Sequence, residues 1–176
     1  SISGPFARYG SPIAFLSVPR YSNSMAATKY TSFMGDALAL ANAAIAVDEV
    51  PVGAVVTKDG KIIGRGHNRT RIDHDPTAHA EIIAIREATR FLGDDRLDDC
   101  DLWVTLEPCT MCAGAIAHAR IRRLYYGAED PKGGAVDNGV RFFEAPTCHH
   151  KPEVYSGIEG EGSAQLLLEF FRRRRD

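Results

Sequence analysis

The 176-residue chain lacks any hydrophobic run fit to cross a bilayer: stretches such as residues 37–47 and 166–171 are too short or too broken by charge. No membrane span is expected, and the protein is expected to be soluble. It also lacks a charge excess of either sign. Lys and Arg number 21 against 23 Asp and Glu, for a formal net charge of -2, which excludes nucleic-acid binding through global charge but leaves a local basic face open. Cysteine is scarce. Cys100, Cys109, Cys112 and Cys148 do not make the dense disulfide framework of a small secreted domain, and a reducing compartment with metal or redox chemistry fits better. There is no internal repeat, and no acidic residue precedes Asp36.

What is present is ordinary globular composition, 44% hydrophobic and 25% charged, in a length that suits one domain with a real core. Residues 1–29 are expected to be an N-terminal extension, disordered or non-native. Within it, residues 1–24 carry Ser, Pro, Gly and two Arg ahead of Met25, which is compatible with a transit segment or with sequence upstream of a start at Met25. The folded domain is expected over 30–176. Two basic runs, 120–123 "RIRR" and 172–175 "RRRR", read first as solvated faces.

From Ser32 the apolar residues Phe33, Ala37, Leu40, Ala41, Ala44 and Ile45 fall on one helical stripe. "PVGAVVT" and "KIIGRGH" flank Lys58-Asp59-Gly60, a hairpin signal. Thr77 is expected to cap a helix carrying Ile82, Ile83, Ile85, Ala88 and Phe91, ended by Gly93. "DLWVTL" reads as a strand, Pro108 as the first residue of a helix "CTMCAGAIAHA", and "RLYYGA" as a further strand. "DPKGGAVDNG" is a loop, followed by a short strand near 154–157 and a helix over 163–173. Strands alternating with helices predict an α/β layered fold with one sheet.

Two stretches, "PTAHAEI" at 76–82 and "EPCTMCAGA" at 107–115, carry the chemistry. Three residues apart at a helix start, Cys109 and Cys112 can turn both sulfurs to one ion, where the unpaired N–H groups and positive dipole end favour thiolate. His79 sits at another predicted helix start. Three such ligands leave one position of a tetrahedral zinc open, the pattern of a catalytic site. Glu81, about 200° round an ideal helix from His79, is placed to move a proton at that open position and not to ligate. Cys100 reads as a small buried hydrophobe. A Cys-x-x-Cys alone is more often a redox pair or half of a structural zinc site, and a redox pair leaves His79 unexplained.

His-x-Glu followed by Pro-Cys-x-x-Cys resembles the zinc nucleobase deaminases. "EVPVGAVV", "GHNRT", "DPTAHAEI", "LWVTLEPCTMCAGAIAHARI" and "YYGAEDPKGGA" look like the bacterial tRNA-specific adenosine deaminases, within the cytidine deaminase-like superfamily, from about residue 31 to the end. That resemblance implies a three-layer α/β/α fold with a five-stranded mixed sheet covered by helices. It also implies a cytoplasmic homodimer with one zinc per subunit, and hydrolysis of the wobble adenosine of a tRNA anticodon stem-loop to inosine and ammonia, with neither DNA nor membrane as partner. Carried over, His79, Cys109 and Cys112 hold zinc and Glu81 shuttles protons to N1 and to the departing amine. Asn68 and Asp130 meet the target nucleotide and the anticodon backbone. Phe170, Phe171 and Arg172 lie on the terminal helix that meets RNA, and the Arg run shifts that helix toward RNA contact, although a Phe pair alone favours packing. The chain departs from the family at "CHH", 148–150: His150 is expected to keep a place lining the site, with His149 replacing an Asn. Three rivals share these residues: a free-base or nucleotide deaminase of guanine or cytosine type, a non-catalytic RNA-binding subunit, and a structural zinc module closed by Cys148 or His149.

Overall fold

Successive side chains of a strand point to opposite faces, so a strand buried on both reads as an unbroken apolar run. The computed structural model, which describes residues 31–175, shows this arrangement. Its strands are β1 (Gly53–Lys58), β2 (Lys61–His67), β3 (Asp101–Leu106), β4 (Arg123–Ala128) and β5 (Glu153–Tyr155), in sheet order β2-β1-β3-β4-β5. β1 runs antiparallel to β2 and β3, while β3, β4 and β5 are parallel. In β3, Leu102 and Val104 join one core cluster and Trp103 the other; Leu124, Tyr126 and Tyr125 divide likewise in β4.

Among the described residues four α-helices cover the two faces: α1 (Met34–Ala46), α2 (Ala80–Leu92), α3 (Thr110–Ala119) and α4 (Gly160–Arg173). Ala80, Ala84, Ile85 and Ala88 of α2 pack with Ala113, Ile116 and Ala119 of α3 in the larger cluster, and Met34 and Ala37 of α1 cover Trp103 and Tyr125 in the smaller. The expected three-layer α/β/α architecture with a five-stranded mixed sheet is present. Asp59 and Gly60 close the β1–β2 hairpin with φ of 50° and 73°, the left-handed pair of a type I′ turn. Among the described residues no helix is long and apolar enough to cross a membrane. The expected extension over 1–29 lies outside the described residues.

Two helix starts differ from the sequence reading, and both matter for the site. Thr77 does not cap α2. Its N–H and hydroxyl donate to Asp75 Oδ1 at 2.8 and 2.7 Å, a turn made by the Asp ahead of Pro76, and α2 begins at Ala80 with His79 as the extended N-cap residue. Likewise Pro108 precedes α3, whose N-cap is Cys109 with φ -73° and ψ 174°. His79 and Cys109 therefore project from helix entrances, where φ and ψ are free of helical values.

The close approach of α2 to β2 fixes the first entrance. A Cβ on Gly64 or Gly66 would overlap the carbonyl oxygens of Ala84 and Ala80, so the helix backbone lies directly on the strand. The chain leaves the parallel strands β3 and β4 after Leu106 and Ala128, and both loops open on the edge where α2 and α3 begin. Ligands of open α/β sheets sit at such carboxyl ends of strands.

Candidate active site

At that edge the nitrogen of His79 and the sulfurs of Cys109 and Cys112 all lie within 4.8 Å of one another, a grouping that suits a metal ion. Nδ1 of His79 is 3.7 Å from Cys109 Sγ and 3.5 Å from Cys112 Sγ. Hydrogen bonding with Cys112 and His79 draws the Cys109 thiol down to about 4, so one sulfur is ready as thiolate. The hydrogen bond to Cys109, together with burial, pushes Cys112 up, and the bond to Cys109 raises His79. The three donors share protons that a cation would displace.

Glu81 lies in the first turn of α2 with 4% of its surface exposed. Burial pushes its carboxyl up to about 7, where a group both accepts and returns protons near neutral pH. It borders a recess of about 270 Å³ with His79, Cys109, Asn68, Val50 and Asp130 among its walls. Asn68 Oδ1 accepts a hydrogen bond from the Ala80 N–H at 3.0 Å, tying the loop after β2 to the peptide between His79 and Glu81. Asp130 Oδ1 accepts from the N–H groups of Lys132 and Gly133 at 3.1 and 3.0 Å, and so shapes its own turn.

The paired phenylalanines separate. Phe170 is buried and carries the Arg174 guanidinium 4.6 Å over its ring, in a recess between α1 and α4 that His79 does not line. Phe171 is 48% exposed and borders a groove of about 560 Å³ with Leu167, Asp130, Lys132 and Gly133. That groove shares Val50, Leu106, Asp130 and Gly133 with the recess at Glu81. Arg172 is exposed beside it in sequence, whereas Arg174 is bound to Asp48. In the other basic run, Arg122 pairs with Asp101 at 2.9 Å and Arg123 with Glu153 at 3.2 Å.

His149 and His150 do not line the site. They stand with His118, Arg120, Phe142 and Cys148 around a separate recess, where His150 Nε2 donates to the Ile121 carbonyl at 2.6 Å and the Cys148 thiol donates to the His150 carbonyl at 3.1 Å. The reason is the length of α3. Its ten residues extend about 15 Å at the helical rise, with the metal-ready cysteines at one end and residues 148–150 at the other. Cys148 and His149 thus make no fourth ligand in this fold. Cys100 is fully buried in the larger core cluster.

Two carboxylates escaped the sequence reading. Glu49, with no exposed surface, accepts from the N–H groups of Arg71 and Ile72 at 2.8 and 2.9 Å and holds the loop after Asn68. Glu107, 2% exposed, accepts five hydrogen bonds from Asp130, Val136, Asp137 and Asn138. Burial raises the Glu107 carboxyl, but these donors outweigh it and hold the group below its usual range. The available signal was an acid embedded among apolar residues, Glu49 beside Asp48 in "VDEVPV" and Glu107 alone in "TLEPC".

Comparison with known proteins agrees with this geometry. The family model of MafB19-like deaminases matches residues 29–175. A tRNA-specific adenosine deaminase of Agrobacterium fabrum is 61% identical over 145 residues, 82% of this chain and 95% of that protein. A solved structure from a study of A-to-I editing by tRNA deaminases at the wobble position of transfer RNA superposes with a TM-score of 0.76 at 62% identity, covering 77% of this chain and 98% of the other. A guanine deaminase from Nitrosomonas europaea shares the fold at TM-score 0.68 but only 28% identity, over 78% and 81% of the two chains. The chain belongs to the MafB19-like deaminases and, within them, to the tRNA-specific adenosine deaminases.

Proposed function

We propose that this chain hydrolyses the wobble adenosine of a tRNA anticodon stem-loop to inosine and ammonia, as a cytoplasmic homodimer with one zinc ion per subunit, through the domain at 30–176. The observation that carries the reading is the convergence of His79, Cys109 and Cys112, with His79, Cys109 and buried Glu81 lining one recess, in a chain 61% identical to a tRNA-specific adenosine deaminase. The donor set suits zinc in particular. Tetrahedral bonds of usual length place an imidazole nitrogen and a thiolate sulfur about 3.6 Å apart, and the two separations are 3.7 and 3.5 Å.

His79, Cys109 and Cys112 would hold the ion, which when bound makes water a nucleophile near neutral pH and leaves a position open for it. Glu81 takes a proton from the attacking water and returns it to N1 as oxygen adds at C6. It then carries the second proton to the exocyclic nitrogen, so that the C6–N6 bond breaks and ammonia leaves. No redox partner is required: water supplies the oxygen and both protons. Asn68 presents its amide Nδ2 to the base, because its Oδ1 is occupied by Ala80 N–H. The walls at Val50 and Asp130 narrow the recess around one flipped base, and the groove running to Phe171 leaves room for a flanking nucleotide to stack.

The test is a substrate panel. Zinc-loaded protein is incubated with an anticodon hairpin carrying a wobble adenosine, and separately with adenosine, guanine and cytidine, and products are read by mass spectrometry. Inosine in the hairpin is expected. Conversion of guanine with an intact hairpin would transfer the reading to the guanine deaminases, which share this fold.

A further inference from the structure

The loop from Asp130 to Asn138 supplies Asp130 and Gly133 to the walls of the site, yet it contains no helix or strand to hold it. Its backbone converges on one side chain. Glu107 Oε2 accepts from the Asp130 N–H at 2.9 Å and from the Asn138 amide at 2.7 Å, and Oε1 accepts from the N–H groups of Val136, Asp137 and Asn138 at 3.2, 2.8 and 2.9 Å. A Cβ on Gly134 would meet the carboxylate at 2.5 Å, so the loop closes on it too tightly for any other residue. A second anchor lies deeper, where the buried Tyr126 hydroxyl donates to Asp137.

A buried carboxylate ringed by backbone N–H groups is costly to leave incomplete, because each unmade bond carries a desolvation penalty. The ring is complete here, and it belongs to the residue two positions before Cys109. Glu107 thus joins the loop to the metal-ready helix entrance, alongside the main-chain bond from the Ala135 N–H to the Pro108 carbonyl at 2.9 Å. Resting on the substrate reading given above, we propose that Glu107 is a positioning residue for RNA deamination: by gathering the N–H groups of 130–138 it fixes the Asp130–Gly133 wall against the target nucleotide, at a set distance from Cys109.

Two variants test this in the zinc-loaded, full-length protein. Glu107→Gln keeps the volume but turns an NH2 donor toward N–H donors; Asn138→Ala leaves the carboxylate and removes one of its partners. In both, hydrogen exchange is expected to accelerate at the amides of 130–138 and not in α2 or α3. KM for the anticodon hairpin should rise about tenfold with Glu107→Gln, the scale of one lost charge-assisted bond, and less with Asn138→Ala. kcat should change less than KM, a split that uniform destabilisation would not produce. Should Glu107→Gln fold poorly or lose zinc, Asn138→Ala decides alone. Unchanged loop exchange, or an unchanged KM in a variant whose loop is loosened, overturns the proposal. If the wild type converts no hairpin, the substrate reading fails by itself, while the exchange data still show whether Glu107 holds the loop.

Discussion

The side-chain oxygen of Asn68 accepts the backbone N–H of Ala80 at 3.0 Å, and Ala80 is the residue between His79 and Glu81. One carboxamide thus spans from the β2 loop to the peptide that carries both the metal-ready imidazole and the buried acid. With the oxygen engaged, the NH2 group is the half left to meet a ligand. Asn68→Asp keeps the bond to Ala80 but replaces the donor with a second acceptor. We expect kcat/KM on a hairpin to fall by about 10–100-fold, the loss of one buried hydrogen bond with its partner stranded, with metal content unchanged by elemental analysis.

Glu81 is expected to be dispensable for folding and necessary for chemistry. Glu81→Gln preserves shape and removes a carboxyl that burial disfavours when charged. The melting temperature should hold or rise, and zinc should stay bound. Turnover should drop by about 100- to 10,000-fold, the usual worth of a positioned proton carrier. A variant retaining near wild-type turnover would remove Glu81 from the reaction.

The basic runs should behave unlike each other. Arg122 and Arg123 are engaged with Asp101 and Glu153, while Arg172, Arg173 and Arg175 are exposed on or just after the helix bordering the Phe171 groove. Replacing the latter three with Ala should weaken hairpin binding and lower the slope of log K against log salt by about 0.7 for each phosphate no longer neutralised. Replacing Arg122 and Arg123 should leave the slope alone. Equal slopes in both variants would return the terminal run to a solvated tail.

Gly66→Ala tests the placement of α2. The added methyl meets the Ala80 carbonyl oxygen, and overpacking of this kind costs about 1–3 kcal/mol. Because the clash falls at the helix entrance, activity and metal affinity should fall together with the melting temperature. Gly35→Ala, whose Cβ would meet nothing within 4 Å, is the control expected to preserve all three.

What was legible in the sequence follows from how local each signal was. His79, Glu81, Cys109 and Cys112 lie in two short motifs at helix entrances, and the fold brought them together. The strands were readable because double-sided burial leaves unbroken runs such as "DLWVTL". Adjacent residues on α4 were harder: Phe170 and Phe171 are turned about 100° apart on the helix, so one enters the core and the other faces the groove. His149 and His150 were misplaced because motif order says nothing of the length of α3 that separates them from Cys109. Glu107 was missed because its partners lie more than twenty residues downstream, in a loop with no periodicity of its own.

The most direct measurement is inosine formation in an anticodon hairpin with a wobble adenosine, by wild type and Glu81→Gln at equal zinc content, with guanine present in the same reaction. Inosine from the wild type alone, with guanine untouched, is the expected result. Guanine consumed while the hairpin stays intact, or inosine formed equally by Glu81→Gln, would contradict the assignment of substrate or of proton carrier respectively.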